Sequence, residues 1–266
     1  MNPSLSTNAP LPLSVAIITL DEEDNLPRCL ESVRDVASEI IVIDSGSRDK
    51  TAEIVRRAGG IFEFHPWAEH VAQKNIALRR CSQAWVLALD ADEALSPELA
   101  GSIRQLFAGG EPSRAGYWVN RRTYYLGRWI WHVWYPEWRL RLVRNGRAQW
   151  DGLDPHDNLR VDGPTDRLHG DLLHYSFDDF HDHLQRTIKY ARIAADSYAR
   201  AGRKCRWYHL VISPWAAFFK HLLLKQAWRD GWRGWIICVV SLFGTFAKYA
   251  FMLEAERAQR DSDIKA

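Results

Sequence analysis

The residues with the clearest chemical potential are two carboxylates that follow an apolar run. Trp85–Leu89 is predicted to be a buried strand, and Asp90-Ala91-Asp92 comes directly after it. Closely spaced carboxylates at a strand end are costly unless a cation offsets their charge, and a divalent ion bound by one or two carboxylates and a phosphate is the usual arrangement for Mg²⁺. A turn after the strand would let Asp92 face the cation while Asp90 reaches a ribose or a second-shell water. The alternative is structural, because the acidic residues also precede a helix cap at Ser96.

Polar side chains also end two earlier apolar runs. Thr19 ends the first, with Asp21 and Glu22 just beyond it, and Asp44 ends the second. The carboxyl ends of parallel strands meet at one crevice, where open α/β sheets bind ligands. These hydroxyl and carboxylate groups can accept hydrogen bonds from a base N–H or a ribose hydroxyl. A turn followed by a helix cap explains the loop that begins with Asp44 and Ser45 equally well, and both interpretations stay open.

Alternating strands and helices must position these residues. From Leu13 to about Gly110 the sequence predicts strand and helix in turn, four times, which is typical of a mostly parallel α/β sheet with helices on both faces. Beyond Gly110, Tyr117–Leu126 and Trp138–Val143 alternate like strands that contact solvent, so we expect the sheet to become mixed. Phe177–Tyr198 is predicted to be a long amphipathic helix.

The C-terminal block is rich in tryptophan and in basic residues. Residues 200–253 carry nine Lys or Arg against one acid, Asp230. Five of the thirteen tryptophans also lie there: Trp207, Trp215, Trp228, Trp232 and Trp235. The most apolar run, Trp235–Ala247, has 13 residues, whereas a helix that crosses a bilayer needs roughly 20. We therefore predict helices that lie on an anionic membrane surface, with a dimer interface or packing on the catalytic core as the alternative.

Compartment and partners follow from what the sequence lacks. The four cysteines are far apart and include no C-x-x-C pair, which favours a reducing compartment. Met1–Pro12 has no basic stretch followed by an apolar one, so we expect a loose tail and not a signal peptide. Basic and aromatic residues together also occur in nucleic-acid-binding proteins, but no such motif accompanies them here, and no nucleic-acid partner is expected.

Four motifs in order resemble family 2 glycosyltransferases with the GT-A fold. They are Val15–Leu26 (VAIITLDEEDNL), Ile41–Thr51 (IVIDSGSRDKT), Gln73–Leu78 (QKNIAL) and Leu87–Glu93 (LALDADE). The resemblance implies a Rossmann-like GT-A domain and a nucleoside-diphosphate-sugar donor. Thr19, Glu22 and Asp44 would bind the donor, with Lys74 and Asn75 nearby. The second aspartate of the Asp-x-Asp motif, Asp92, would hold Mn²⁺ or Mg²⁺.

The resemblance extends to a subgroup similar to bacterial lipopolysaccharide-core β-glucosyltransferases. Trp138–Gly146 (WRLRLVRNG), Pro155-His156-Asp157 and Leu172–Tyr175 (LLHY) fall where that subgroup has its second set of motifs. Two positions depart from the pattern, because Asp21 stands where Asn is usual and Asp157 where Glu is usual. The subgroup implies UDP-glucose as donor, a lipid-linked or core-saccharide acceptor, and a peripheral location on the cytoplasmic face of the inner membrane, or a cytoplasmic one.

The composition, the predicted elements and the resemblance together predict a division of the chain. Residues 1–12 are predicted to be a tail, and residues 13–176 the catalytic domain, with a nucleotide-sugar half at 13–110 and an acceptor half at 111–176. Residues 177–253 are predicted to be a helical region that associates with the membrane, and residues 254–266 a second tail.

Inverting sugar transfer defines the remaining candidates. A base must take the proton of the acceptor hydroxyl from the face opposite the leaving diphosphate, and a carboxylate suffices. Asp157 is the candidate base, with Asp154 as the alternative carboxylate and a turn as the alternative role. Arg139 and Arg141, two apart on one strand face, could stabilise the diphosphate, because no glycine-rich phosphate loop is present. His174 is a candidate metal ligand or phosphate contact, or a structural residue.

An aromatic cluster and three rival functions complete the predictions. The cluster comprises Trp129, Trp131, Trp134, Tyr135 and Trp138, and it could stack on acceptor sugars or simply pack in the core. The main prediction is a metal-dependent, inverting hexosyltransferase. One rival is a transferase to polyprenyl phosphate, which would need a deeper membrane anchor, and a second is a non-catalytic donor-binding or membrane scaffold. An enzyme that makes the activated sugar is disfavoured, because the loop after the first strand is acidic.

Overall fold

The computed structural model describes residues 10–153 and 156–265. They form two compact units, which contain residues 10–123 with 136–175 and residues 124–135 with 176–265. The boundary near residue 176 agrees with the predicted division of the chain, but the observed units differ from it in one respect. Residues 124–135, expected in the acceptor half, belong to the second unit.

The first half of the first unit alternates strands and helices as the sequence predicts. Its strands are β1 (Leu11–Thr19), β2 (Ala37–Asp44), β3 (Ile61–Phe64), β4 (Trp85–Asp90) and the short β5 (Glu93–Leu95). Its helices are α1 (Leu26–Val33), α2 (Thr51–Arg57), α3 (His70–Arg80) and α4 (Pro97–Ala108). The central strands are apolar on both faces because helices cover both: on β1, Val15 and Ile17 on one face and Ala16 on the other are all buried, in two separate apolar clusters.

The predicted cap of the fourth helix is present. The Ser96 hydroxyl accepts a hydrogen bond from the Leu99 amide at 3.2 Å, and Pro97 occupies the first helical position. This cap begins α4 shortly after the acidic turn, and the turn is thus held between β4 and a fixed helix start.

The sheet brings three polar strand ends to one level. Its order in this unit is β3, β2, β1 and β4, all parallel, followed by four strands of mixed direction. Thr19 pairs in register with Asp44, and Ile18 pairs with Asp90. The chain reverses its strand order between β1 and β4, and this is where a parallel α/β sheet opens its ligand crevice.

The second half of the unit makes the sheet mixed, as expected. It contributes β6 (Gly116–Tyr125), whose last two residues fall in the second unit, with β8 (Glu137–Arg144) and β11 (Thr165–His174). The order continues from β4 through β8, β6 and β11 to β5, with β8 antiparallel to β4. A separate antiparallel hairpin consists of β9 (Ala148–Leu153) and β10 (His156–Val161).

The second unit is mainly helical. It contains β7 (Arg128–Trp129), α5 (Phe180–Arg200), α6 (Trp207–Phe219) and α7 (Trp232–Lys265). A π-helical turn, Lys220–Leu224, and a 3₁₀ turn, Ala227–Asp230, connect α6 to α7. The core of the unit includes Tyr125, Val133, Phe218, Ile237 and Cys238. The last helix continues to Lys265, into the stretch for which the sequence predicted a tail.

One face of α6 and one face of α7 carry exposed apolar side chains. We call this set the apolar stripe, and it comprises Trp207, Val211, Trp215 and Phe219 of α6 with Trp232, Trp235, Val239, Phe243 and Phe246 of α7. The stretch Trp232–Ala258 is long and apolar enough to cross a membrane by length and composition alone. The sequence predicts a run too short to cross, because only the most apolar residues, Trp235–Ala247, were counted. The helix continues through the polar and small residues on either side of that run.

Candidate active site

The ends of β1 and β2 form a single hydrogen-bonded lip. The buried Asp44 accepts the Thr19 hydroxyl at 2.9 Å and the amides of Gly46 and Ser47 at 2.8 Å each, and the Ser47 hydroxyl also donates to it. These contacts are those of a turn, which is the alternative interpretation of the loop that begins with Asp44. Asp44 therefore shapes the loop after β2, and its role toward a nucleotide stays a prediction.

The loop after β1 is hydrogen-bonded to the same turn. The amide of Asp21 donates to the Ser47 hydroxyl at 2.7 Å, and the Asp21 carboxylate accepts the Arg48 amide at 2.7 Å. Asp21 has a φ of 54°, a left-handed conformation that Asn and Asp tolerate better than most residues. The Glu22 amide donates to the Thr51 hydroxyl at 2.9 Å. Asp21 and Glu22 thus hold the lip in place from its solvent side.

The hydroxyl of Ser45 joins the lip to α3. It accepts a hydrogen bond from the Gln73 amide nitrogen at 3.0 Å, while the backbone amide of Ser45 donates to the Thr19 carbonyl at 3.0 Å. Gln73 is fully buried and also donates to the His65 carbonyl at 2.8 Å. The end of β2 is therefore fixed by strand, turn and helix together.

A buried lysine connects two of the predicted site residues. The Lys74 ammonium lies 2.8 Å from Asp90 Oδ1 and 2.7 Å from Asp157 Oδ2, with the Trp150 ring 4.5 Å below it. Burial alone would lower the pKa of Lys74, but the charges of Asp90 and Asp157 outweigh it and raise that pKa above its usual range. Lys74 is therefore a permanent cation shared by two carboxylates.

The second oxygen of Asp90 is also occupied by a cation. Arg141 donates to Asp90 Oδ2 at 2.8 Å and to Glu93 Oε1 at 2.6 Å. Burial disfavours the charge of Asp90, yet Lys74 and Arg141 hold the pKa of its carboxyl well below the ordinary value. Asp90 is thus an ionised member of a salt-bridge network, and its predicted contact with a ribose would add to these bonds.

Glu93 is the centre of that network. Its fully buried carboxylate accepts Arg141 on one oxygen, with Arg121 at 3.3 Å from the same atom, and the Asp90 amide at 3.0 Å on the other. Arg121 in turn makes a two-point contact with Glu137 at 2.8 and 2.9 Å. Because Glu93 binds the backbone of Asp90, it fixes the turn that carries Asp92.

Asp92 faces His174 at the opposite side of this turn. Asp92 Oδ2 lies 3.3 Å from His174 Nε2, and His174 Nδ1 lies 3.4 Å from the Thr123 hydroxyl. The Tyr175 amide donates to the Asp92 carbonyl at 2.9 Å. Burial would raise the pKa of Asp92, but the interaction with His174 outweighs it and keeps that pKa below its usual value.

The geometry of this pair fits two ligands of one divalent cation. Metal bonds of about 2.1 Å at right angles place neighbouring ligand atoms about 3 Å apart, close to the 3.3 Å between Asp92 and His174. Among the residues that the structure describes, no group of three His, Cys, Asp or Glu side chains could hold a metal alone. The remaining ligands would come from substrate phosphates and water, as is usual for Mg²⁺.

Asp157 lies on the β9–β10 hairpin, opposite Gly152 in the ladder. Its contact with Lys74 brings it to the Asp90 side of the sheet. The alternative base, Asp154, lies outside the described residues. Asn75, predicted to lie near the donor, exchanges hydrogen bonds with the backbone of Trp150, donating to its carbonyl and accepting from its amide at 2.9 Å each.

Comparisons with known proteins identify the family. The family model described as Glycosyl transferase family 2 matches residues 14–160. The lipopolysaccharide core biosynthesis glycosyltransferase LpsC of Rhizobium meliloti (strain 1021) is 34% identical over 262 residues, which cover 94% of this chain and 93% of the relative. The chain belongs to glycosyl transferase family 2.

This family 2 glycosyltransferase has further relatives in sequence and in fold. An uncharacterized glycosyltransferase of Rickettsia bellii (strain RML369-C) is 26% identical over 268 residues, covering 95% of this chain and 91% of the relative. The mannosyltransferase PcManGT from Pyrobaculum calidifontis, whose structure holds GDP-Man and Mn²⁺, has a TM-score of 0.52 and 16% identity over 92% of this chain and 89% of its own. The predicted GT-A fold and the predicted family are confirmed.

Not every predicted residue of the glycosyltransferase joins the central network. Arg139 shares a strand face with Arg141, but it donates to Glu137 at 2.6 Å and its side chain is 38% exposed. Ala91 is buried in the apolar core beneath the acidic turn. Arg139 therefore contacts the network through Glu137, whereas Ala91 packs in the core with its apolar side chain.

The aromatic cluster is divided between packing and exposure. Trp134 packs against Tyr125 and Phe177 in the second unit, at ring distances of 5.5 and 5.7 Å, so the packing alternative holds for it. Trp131 is half exposed and forms an edge contact with Tyr135 at 5.5 Å. Trp129 forms an edge contact with Tyr124 at 5.1 Å. In the first unit, Arg167 lies over the ring of Trp138 at 4.4 Å.

Sequence reasoning missed two residues of the network, Arg121 and Glu137, and it gave Glu93 no role apart from the acidic motif. Glu93 directly follows the Asp-x-Asp motif, and an acid on a strand of three buried residues is a signal that calls for a buried cation. Arg121 and Glu137 lie opposite each other on antiparallel strands, a pairing that only the register of the strands reveals.

Proposed function

We propose that this glycosyltransferase moves a hexose, in the first place glucose, from a UDP-sugar to a lipopolysaccharide-core or other lipid-linked saccharide, with inversion and with Mn²⁺ or Mg²⁺. The carrying observation is the arrangement at the end of β4, where Asp92 meets His174 and Asp90 is joined by Lys74 to Asp157. The acceptor class is supported by the relative named for lipopolysaccharide core biosynthesis, which matches over nearly its whole length.

The lip formed by the ends of β1 and β2 is the proposed nucleoside site. Asp44 and Thr19 fix its shape through their mutual hydrogen bond. Asp21 and Glu22, which face its solvent side, offer carboxylate oxygens to a base N–H or a ribose hydroxyl. A rigid lip lowers the entropy cost of ordering these acceptors around a donor.

The diphosphate of the donor would lie between the lip and the acidic turn. Asp92 and His174 would hold the divalent cation, which supplies charge neutralisation as the diphosphate leaves. Of the two predicted arginines, Arg139 is the more exposed, beside Glu137, and would contact a phosphate oxygen. Arg141 is buried against Asp90 and Glu93, so it supports the diphosphate site by fixing the acidic turn.

Asp157 is the proposed base. Its carboxylate would take the proton of the acceptor hydroxyl as that oxygen attacks the anomeric carbon from the face opposite the diphosphate. The contact between Lys74 and Asp157 Oδ2 orients the carboxylate. Sugar transfer then breaks the bond from the anomeric carbon to the diphosphate and forms the bond to the acceptor oxygen.

The second unit supports attachment to an anionic membrane surface. The five tryptophans of the C-terminal block are 49% to 74% exposed, so each leaves about half or more of its surface outside the packing of the unit. Indoles favour the headgroup layer, and cations such as Lys220 and Lys225 favour anionic lipid. On α7, the opposite face packs in the unit through Ile237 and Cys238. This one-sided exposure favours a helix that lies in the interface, on the cytoplasmic face of the inner membrane.

One observation favours a second candidate, transfer to polyprenyl phosphate. That rival needed a deeper anchor than the sequence offered, and α7 supplies a stretch long and apolar enough to cross a membrane. The similarity to LpsC, which is named for lipopolysaccharide core biosynthesis and is matched over 93% of its length, favours the saccharide acceptor. The two functions share the donor site and differ only in the acceptor.

The test is transfer of labelled sugar from UDP-glucose, UDP-galactose, UDP-N-acetylglucosamine and GDP-mannose. Each donor is incubated with Mn²⁺ or Mg²⁺ and with either truncated core glycolipid or polyprenyl phosphate. We expect label in the core glycolipid from UDP-glucose, as a β-linked product from the α-linked donor. Label in polyprenyl phosphate alone would support the second candidate, and retention of the α configuration would contradict the inverting mechanism.

A further inference from the structure

Two consecutive residues of α3 hold the hairpin that carries the proposed base. The side-chain amide nitrogen of Asn75 donates to the carbonyl of Trp150, in β9, and its oxygen accepts from the Trp150 amide, at 2.9 Å each. This two-point contact imitates the pairing of one strand residue with the next strand. It fixes β9 against α3, and β9 in turn fixes β10 through a continuous antiparallel ladder.

Lys74 holds the same hairpin by its side chain. Its ammonium bridges Asp90, at the end of β4, and Asp157, on β10, while the Trp150 ring lies 4.5 Å away. Lys74 is 9% exposed, and a buried cation keeps its position strongly because a lost partner leaves an uncompensated charge. One helix therefore fixes both the backbone of the hairpin and the carboxylate on it.

We infer that Lys74 and Asn75 are positioning residues that set Asp157 against the Asp90 end of the sheet, and that they are not ligands of the donor. The inference rests on the proposed function of Asp157 as the base. It differs from what the family resemblance implied, which placed both residues beside the nucleotide sugar. The hydrogen-bonding groups that Asn75 would offer a donor are engaged by Trp150.

The two roles predict different kinetics. A donor ligand contributes to binding, so its loss raises the KM of the donor. A residue that orients the base contributes when the acceptor oxygen attacks, so its loss lowers kcat, and a displacement of about 1 Å costs roughly 100-fold. We therefore expect a fall in kcat with little change in donor affinity.

The experiment compares Lys74→Met, Lys74→Arg and Asn75→Leu with Arg79→Met, an exposed cation on the same helix. The measurements are kcat, the KM of UDP-glucose, and the Kd of UDP with Mn²⁺ by calorimetry. Lys74→Met and Asn75→Leu should lower kcat about 100-fold with KM and Kd changed less than about threefold. Lys74→Arg should recover much of the lost kcat, because a guanidinium can also bind two carboxylates. Arg79→Met should match the wild type.

Hydrogen exchange gives a readout independent of turnover. In Asn75→Leu the amides of β9 and β10 should exchange faster than in the wild type, while those of β1 should not change. If Lys74→Met does not fold, Asn75→Leu and Lys74→Arg decide the matter. Weaker UDP binding by more than about tenfold with an unchanged kcat would overturn the inference, since that pattern marks a donor ligand.

The failure of the inference can be told from the failure of the proposed function. If Asp157→Asn keeps the wild-type kcat, the assignment of the base fails and the inference fails with it. If Asp157→Asn is inactive while Lys74→Met and Asn75→Leu keep the wild-type kcat, only the inference fails. Loss of kcat in all three with preserved UDP binding supports both.

Discussion

The imidazole of His174 lies 3.3 Å from the carboxylate of Asp92, although the two residues come from distant parts of the chain. Asp92 sits in the turn between β4 and β5, and β11 brings His174 to it by pairing with β5. Thr123, on β6, orients the other ring nitrogen at 3.4 Å. A polar partner on the far nitrogen fixes the ring of a metal-binding histidine. This arrangement agrees with the proposed role of the pair in holding a divalent cation.

Replacing Asp92 tests this pair. Asp92→Asn should lower Mn²⁺-dependent transfer at least about 100-fold, because loss of a ligand removes several kcal/mol of charge stabilisation. The fold should be kept, since Asn occupies the same volume. Binding of Mn²⁺ in the presence of UDP, followed by electron paramagnetic resonance, should weaken in parallel. Asp35→Asn, at an exposed acid of the same unit, is the matched control, and wild-type Mn²⁺ affinity in Asp92→Asn would refute the assignment.

Replacing Asp157 tests the base. Asp157→Asn should lower kcat by about 10² to 10⁴, the usual contribution of a general base, with the Kd of UDP unchanged. Asp162→Asn, at an exposed position just beyond β10, should retain the wild-type rate. The measurement is single-turnover transfer at saturating UDP-glucose. A wild-type rate in Asp157→Asn would move the role of the base to another carboxylate.

The sequence predicts the strand ends well because the period of apolar residues determines them. Thr19, Asp44 and Asp90 end buried parallel strands, and a shared register brings them to one edge. The acidic turn and its cap at Ser96 also follow from local signals. What links residues far apart, such as Glu137 with Arg121, depends on the register of antiparallel strands, and single residues do not encode that register visibly.

Two features depend on long-range packing that the motifs do not show. The place of Asn75 in a motif predicts a position near the donor, and its side-chain amide also pairs with a strand that follows much later in the chain. Residues 124–135 were expected in the acceptor half, but Tyr125 and Val133 pack in the helical unit. Long-range packing decided both, and it outweighs local sequence preference.

Glu93 should contribute more to stability than any exposed acid. Glu93→Gln removes the charge that two buried arginines share and should lower the free energy of unfolding by about 3 kcal/mol, because the partners of a broken buried pair stay charged. Glu111→Gln removes an acid that is 67% exposed and pairs with Arg144 at 2.8 Å, and it should cost less than about 1 kcal/mol. Urea unfolding of both variants measures the difference. Equal losses would show that Glu93 does not carry the network.

His183 should make the stability of the protein depend on pH between about 6.5 and 4. Burial lowers the pKa of His183 from 6.5 to about 4, and its ring nitrogen is hydrogen-bonded to the Tyr125 hydroxyl at 2.7 Å. Between these pH values His183 is protonated in the unfolded chain and neutral in the folded chain. The free energy of unfolding therefore decreases as the pH falls from 6.5 toward 4. The loss is on the order of 3 kcal/mol.

The variant His183→Phe should remove that part of the pH dependence. Its free energy of unfolding should change less than that of the wild type between pH 7 and pH 4.5, whatever its absolute value. His169→Gln, at an exposed histidine, should keep the wild-type slope. An identical slope in wild type and His183→Phe would mean that His183 titrates normally in the folded protein.

The apolar stripe should bind anionic membranes. Trp207→Ser, Trp215→Ser and Trp235→Ser combined remove three indoles that are 74%, 54% and 49% exposed. The combined variant should lose flotation with phosphatidylglycerol vesicles, because indole insertion and cation attraction act together. Trp67→Ser, at an exposed tryptophan of the first unit, is the matched control and should float like the wild type. Salt should weaken the wild-type binding by screening Lys220 and Lys225.

The competing explanation for the stripe is a subunit interface, and the same variants separate the two. If the stripe joined two copies, the wild type would be a dimer by light scattering without lipid, and the combined variant a monomer. If α7 crossed the bilayer, high salt and carbonate would not extract the wild type from membranes, whereas an interfacial helix is released. A monomer that floats with anionic vesicles and is extracted by carbonate supports the interfacial position, because one face of α7 is exposed and apolar while the opposite face packs in the unit through Ile237 and Cys238.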